Sequence, residues 1–290
     1  MQNSSSILSP KILSALEKLK TNTRRSYLGL KQGTHISPKK GHGLEFSDYR
    51  EYLPGDNPRS IDWGIYGRSD KIVIKRFHEE ENVQILILLD DSQSMRCDNN
   101  FWLSSLQLLE AVAFSGLING EKVIVGTFNG INKEVIAIDN HSGLQRLRVW
   151  LNNIKIASKN SSTEINTLDN LLAKAKVPGA CIVISDFLIE IPSFKNLCAR
   201  LRSKNLDTVL INCMHTLPET ENTTWIDSET LAELPVTSIT EAKEVYKQTI
   251  EAHKINLKEA SNFKFISHSL PYKNESEILQ TINKTEIFTS

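Results

Sequence analysis

Val83-Gln84-Ile85-Leu86-Ile87-Leu88-Leu89-Asp90-Asp91-Ser92-Gln93-Ser94 sets five apolar residues in a row against an abrupt polar stop at Asp90. An apolar run without alternation predicts a strand covered on both faces, as in a parallel sheet. Residues 99–117 follow with helical spacing and are apolar on most sides (Phe101, Trp102, Leu106, Leu109, Val112, Ala113, Phe114), which predicts a helix buried against that sheet. Further strands are expected at residues 122–128, 180–184, 208–213 and 264–268, with a short hairpin partner at 134–138 across Asn129 and Gly130. Helices are expected at 144–154, 164–175, 193–201, 242–260 and 275–282. Alternation of this kind predicts an α/β fold with a doubly wound, mostly parallel sheet and helices on both faces.

Upstream the pattern is different. Residues 10–20 place Ile12, Leu13, Leu16 and Leu19 at helical spacing, and a polar, basic stretch runs on to Lys40. Residues 41–77 are dense in turn formers (Gly41, Gly43, Pro54, Gly55, Asp56, Asn57, Pro58) and read as an irregular module ending in a strand at 71–77. The expected organisation is a basic N-terminal arm with a helix at 1–40, a module with an edge strand at 41–80, and the α/β domain at 81–290.

The 290 residues are 40% hydrophobic and 23% charged, ordinary for a globular chain with a normal core. Lys plus Arg and Asp plus Glu are both 34, yet residues 1–44 hold eight basic residues and a single acid, Glu17. Such an arm can meet anionic lipid or an acidic protein face, or it can be a solvated helix face folded on the acidic remainder. No aromatic interleaving or nucleic-acid motif accompanies the charge, so nucleic acid is not the expected partner. The four cysteines (Cys97, Cys181, Cys198, Cys213) form no CxxC pair, which fits reduced thiols rather than a zinc or redox motif. The first twenty residues lack the apolar stretch of a signal peptide, and no apolar run is read as a membrane span. A cytoplasmic protein is expected, with peripheral membrane contact through the basic arm.

Open parallel sheets bind ligands at the carboxyl ends of their strands. Two strands here end in acid, 85–89 in Asp90 and 180–184 at Ser185-Asp186. Two carboxylates on one sheet edge repel each other unless a cation or proton intervenes. Ser92 and Ser94 alternate just after Asp90, so both hydroxyls can turn toward one point. An oxygen-only set suits a hard cation, Mg²⁺ first, with Mn²⁺ or Ca²⁺ as alternatives. The plainer reading keeps Asp90 as a strand-end or helix-capping group. Asp91 is expected on the opposite side, toward solvent or behind the ligands.

The D-x-S-x-S spacing after an apolar strand resembles the metal-ion-dependent adhesion site of von Willebrand factor type A domains. That family adds a threonine from a later loop and an aspartate from a later strand end. Thr163, in Ser161-Ser162-Thr163-Glu164, and Asp186 match those positions, although the family often has glycines where this chain has Ser161 and Ser162. The resemblance implies ligation by Ser92, Ser94 and Thr163, with Asp90 and Asp186 direct or through water. It leaves a sixth position for a partner's carboxylate. Upstream, residues 45–56 (EFSDYREYLPGD) and Arg59-Ser60-Ile61-Asp62-Trp63 resemble the signature of a bacterial family called "domain of unknown function 58". In that family the module precedes a type A domain and is linked with MoxR-type AAA+ ATPases. The set Arg50, Tyr52, Gly55, Asp56, Arg59, Asp62 and Trp63 is then either a salt-bridged structural knot or a surface that a partner reads.

The resemblance implies a metal-dependent adaptor for protein–protein interaction, working with a MoxR-type ATPase in assembly or maturation of a target complex. The alternative is a metal-assisted, phosphoesterase-like hydrolase. No P-loop, Gly-x-Ser-x-Gly elbow or histidine beside Ser92 or Ser94 is visible, so a non-enzymatic role is expected.

Overall fold

A computed structural model describes residues 5–21, 46–77, 84–129, 135–156, 166–174, 179–215, 223–226, 233–236 and 239–289. Contacts divide the chain into two compact units, residues 1–29 with 83–290 and residues 30–82. In chain order the elements are helix α1 (Pro10–Leu16), strand β1 (Lys20–Thr21), β2 (Phe46–Glu51), α2 (Trp63–Ser69), β3 (Val73–Phe77) and β4 (Gln84–Asp90). Then come α3 (Gln93–Arg96), α4 (Asn99–Ile118), β5 (Lys122–Phe128), β6 (Val135–Ile138), α5 (His141–Ile156), α6 (Asn166–Lys174) and β7 (Gly179–Ser185). The chain continues through α7 (Ile191–Arg202), β8 (Asp207–His215), β9 (Thr223–Ile226), β10 (Glu233–Val236), α8 (Ile239–Ser261), β11 (Lys264–Leu270), α9 (Ser276–Thr285) and β12 (Phe288–Thr289).

The larger unit is built on a six-stranded sheet in the order β11-β8-β7-β4-β5-β6, parallel throughout except for the antiparallel edge strand β6. All seven residues of β4 are buried. Side chains on a strand alternate between faces, and β4 shows what covers each. Ile85, Ile87 and Leu89 pack with α1, α4, α5 and α9, whereas Leu86 and Leu88 pack with residues of α6, α7 and α8. Two covered faces are the physical reason for the unbroken apolar run. Gly179, at the start of β7, lies so close to β4 that a Cβ there would sit 1.8 Å from the Gln84 carbonyl oxygen.

From β4 the chain moves first to β5 on one side, then returns to β7 on the other. The gap between the carboxyl ends of β4 and β7 is therefore the switch point at which such sheets form a crevice.

Helix α4 is long and apolar enough, by length and composition alone, to cross a bilayer, whereas no such run was expected from the sequence. In the fold it contacts β4, β5, α1, α5 and α9, and most of its surface is buried among them. Residues 10–20 were expected as one helix, but the helix stops at Leu16, and Lys20–Thr21 pairs with Phe288–Thr289. This segment does not stand apart as an arm. Leu8, Ile12, Leu16 and Leu19 belong to the larger unit's core. Glu110, wholly buried on α4, ties it down: its carboxylate accepts from the Ser6 hydroxyl at 2.8 Å and the Ile7 N–H at 3.0 Å, and pairs with Arg148 Nε at 2.9 Å. The hairpin of β9 and β10 was not anticipated.

The smaller unit is a β2–β3 antiparallel hairpin enclosing a tight turn and α2. Both β2 and α2 were missed, because turn formers and charge hide a short strand and a two-turn helix.

Removing Glu110 strands a largely buried guanidinium and frees the segment around Ser6. Glu110→Ala should cost about 3–5 kcal/mol, the range for breaking a buried ion pair. Urea unfolding measures this, and a loss under about 0.5 kcal/mol, typical of surface sites, would contradict the role assigned to Glu110.

Candidate metal centre

The crevice at the β4–β7 switch point is lined from both strands. Asp90, the last residue of β4, is buried, and both its oxygens are engaged. Oδ2 accepts from the Ser185 hydroxyl at 2.6 Å and Oδ1 from the Ser92 N–H at 2.9 Å. The Ser92 and Ser94 hydroxyls lie 3.0 Å apart as the chain turns into α3. Asp186 is also buried; its Oδ1 accepts from the Leu188 N–H at 3.2 Å, while Oδ2 has no hydrogen-bond partner among the described residues. The fold thus brings Asp90, Ser92, Ser94 and Asp186 to one edge. Thr163 lies outside the described residues.

Burial, with the Asp186 charge second, pushes the Asp90 carboxyl up to about 7, although the Ser185 and Ser92 hydrogen bonds oppose the rise. Burial likewise raises Asp186, against the opposing effects of Ser94, the Leu188 N–H and His215. A pair of desolvated carboxylates with an orphaned oxygen is a site short of positive charge. Among the described residues no three His, Cys, Asp or Glu side chains gather to hold a metal. A cation here would be held by carboxylates together with hydroxyls, and that oxygen-only set fits a hard divalent ion.

Asp91 takes the second of its two expected places, behind the ligands. It is buried and ion-paired with Arg96, whose Nη1 also donates to the Ile154 carbonyl at 3.0 Å and whose guanidinium lies 4.4 Å from the Trp102 ring centre. This fixes the loop carrying Ser92 and Ser94 from behind. After Asp186, Phe187 takes a left-handed backbone (φ 49°), which costs a non-glycine residue about 1–2 kcal/mol. Its N–H donates to Ser185 Oγ at 2.8 Å, and its carbonyl accepts from the His253 ring at 2.9 Å.

Ser185, His215 and Asn212 escaped the sequence reading. Ser185 was visible as a polar residue closing an apolar strand. His215 was lost because β8 was ended at Cys213, whereas pairing continues through Met214 and His215 against Ser269 and Leu270. His215 stacks on Phe101 with ring centres 3.5 Å apart, and its Nε2 lies 3.8 Å from Cys97 Sγ.

The upstream signature forms its own cluster in the smaller unit. Arg50 pairs with Asp56 at 2.9 Å, and Asp56 Oδ2 accepts from the Leu53 N–H at 2.9 Å across a turn in which Gly55 has φ 104°. Asp62 caps α2 through the Gly64 and Ile65 N–H groups and pairs with Lys75 at 3.0 Å. The Tyr52 N–H donates to the Ile72 carbonyl, while Arg59 and Trp63 are exposed. The ion pairs close the hairpin around its turn and helix.

A family model described as "Protein of unknown function DUF58" matches residues 48–256. The chain belongs to this family. Uncharacterized proteins of Mycobacterium tuberculosis and Mycobacterium bovis are 23% identical to it over 188 residues, covering 62% of this chain and 58% of theirs. The DUF58 chain thus spans less than two thirds of the length of the curated relatives it matches. Among solved structures it is similar to a conserved hypothetical protein, BatB, from Bacteroides thetaiotaomicron and to an aerotolerance-related membrane protein from Bacteroides fragilis. Each has a TM-score of 0.42 at 15% identity, covering 70% of this chain and 98% of the other.

A raised Asp90 pKa means that the folded chain holds a proton that the unfolded chain has released, between the ordinary 3.8 and about 7. Asp90's stabilisation of the metal-free fold is full below the lower value and is lost as pH rises through the upper one. Urea unfolding in EDTA should therefore show lower stability at about pH 8 than at about pH 5, by on the order of 1 kcal/mol or more. Asp90→Asn should flatten that difference; an unchanged pH profile in this variant would assign the dependence elsewhere.

Proposed function

We propose that this chain is a metal-dependent docking module of the von Willebrand factor A type, with Mg²⁺ held at the β4–β7 edge. The single observation behind this reading is the pair of buried, hydrogen-bonded carboxylates, Asp90 and Asp186, facing the Ser92 and Ser94 hydroxyls at the switch point. Ser92, Ser94 and Asp186 would touch the ion or its waters. Asp90, already gripped by Ser185, would orient the serine loop and add charge. Thr163 would supply a further hydroxyl from its loop. Mg²⁺ favours six oxygens and readily keeps waters, so a position is left for a carboxylate from a protein partner.

The partner proposed is a protein that offers an acidic side chain, in an assembly or maturation role alongside a MoxR-type AAA+ ATPase. That pairing comes from the resemblance of residues 45–63 and from no contact in the fold.

Calorimetry should find a saturable Mg²⁺ site in the full chain that Ser92→Ala weakens by about tenfold or more, equivalent to losing about 1.4 kcal/mol. Pull-down of a MoxR-type ATPase from the same organism should be lost in Ser92→Ala, in Ser94→Ala and in EDTA. Capture that survives all three treatments rules out metal-mediated docking. Turnover of phosphoesters that needs Mg²⁺ and is abolished by Asp90→Ala would replace docking with catalysis.

A further inference from the structure

The metal edge belongs to a longer polar row. Leu89, Ile184 and Ile211 pack into the same apolar layer, so the residue after each (Asp90, Ser185, Asn212) faces the other side of the sheet. Strand pairing sets Leu89 beside Ile184 and Ser185 beside Asn212, which puts the three at one level across β4, β7 and β8. The Ser185 hydroxyl serves Asp90. Asn212 Oδ1 is served by nothing: it is buried and has no hydrogen-bond partner among the described residues. Ser267, the next residue of the row on β11, leaves its own hydroxyl unpaired and does not reach it.

Asn212 and Asp186 line one cleft beside helix α8. They are 3% and 5% exposed, and Asp186 Oδ2 is the second unpaired acceptor there. A buried acceptor left unpaired costs about 1–3 kcal/mol, so the cleft calls for donors. Lys254, a cation of the lining, is already paired with Glu251. The free space admits about one water. One water meets the demand, because it carries two O–H donors for two acceptors and keeps a lone pair for a cation. A cation on that lone pair strengthens both donors. Asp186 then reaches the ion through this water, and its free oxygen is used once.

We propose that Asn212 is a positioning residue of the metal site, its Oδ1 accepting from a Mg²⁺-bound water that also donates to Asp186 Oδ2. The inference rests on the metal reading above and extends that site to a third strand, β8. It also gives the site a preference. Mg²⁺ holds its waters in a strict octahedron, whereas Ca²⁺ takes six to eight oxygens in variable arrangements. An acceptor fixed on a packed strand rewards the ion whose waters have fixed directions.

The test is calorimetry of the full chain with Mg²⁺ and with Ca²⁺, in wild type, Asn212→Leu and Asn212→Asp. Leucine removes the acceptor at similar volume, and aspartate keeps an oxygen in its place. Asn212→Leu should weaken Mg²⁺ binding by about tenfold or more and Ca²⁺ binding by less, and Asn212→Asp should restore Mg²⁺ binding. Unchanged Mg²⁺ binding in folded Asn212→Leu, equal loss for both ions, or loss without rescue by aspartate overturns the proposal and leaves Asn212 a packing residue. If Asn212→Leu does not fold, the wild type decides. The side-chain amide NMR signal of Asn212, assigned by its absence in Asn212→Asp, should shift on saturation with Mg²⁺, and a signal that stays in place overturns the proposal. The two readings fail differently. No saturable Mg²⁺ binding in the wild type removes the metal site and this role with it. Mg²⁺ binding that Ser92→Ala weakens and Asn212→Leu does not removes only the role of Asn212.

Discussion

Like charges held out of water set the terms for this fold. Asp90 and Asp186 sit at the ends of neighbouring strands, both buried, and each raises the cost of ionising the other. In water two carboxylates are screened and cheap; in a packed interior they are neither. The chain tolerates them because several nearby polar groups help. Ser185 and the Ser92 N–H hold Asp90, and the Leu188 N–H holds one side of Asp186. What these neutral donors leave uncompensated is net charge, which only a proton or a cation can supply.

Strand β4 can place an acid at the crevice because its five preceding residues are clamped between two helical layers. A one-residue slip would exchange the two faces, and both are apolar, so the hydrophobic pattern alone does not fix the register. Gly179 helps to set it, since the Gln84 carbonyl leaves no space for a side chain at that point. The Asp91–Arg96 pair fixes the loop beyond. An edge held this way from strand, loop and neighbouring helix needs little reorganisation to receive a ligand, which favours affinity.

Sequence legibility followed environment. Strands buried on both faces, such as β4, β5 and β7, announce themselves as apolar runs, and β5 begins and ends where its residues predict. The acids ending β4 and β7 were legible because polarity changes abruptly there. Strand β8 was read short: Met214 and His215 are held by pairing to β11, a long-range contact without a local pattern. Asp91 was left between solvent and a place behind the ligands. Alternation alone does not choose between them, and Arg96 five residues later supplies the countercharge that permits burial. Asn212 is an ordinary polar residue in sequence, and only the fold shows that its oxygen lacks a partner among the described residues.

The larger unit is discontinuous in sequence: residues 1–29 join a body that otherwise begins at 83. Ser9 donates to Glu275 at 2.5 Å, and Lys20 pairs with Thr289. On a ribosome, domains acquire structure from the amino end as chain emerges. Here α1 is made before the helices on which it packs, α4 and then α9. The hairpin of residues 46–77 draws on contacts close in sequence and can close early. Helix α1 can pack on α4 once that helix appears, but its contact with α9 waits for a segment made much later. A helix made early thus completes its seat only when α9 emerges.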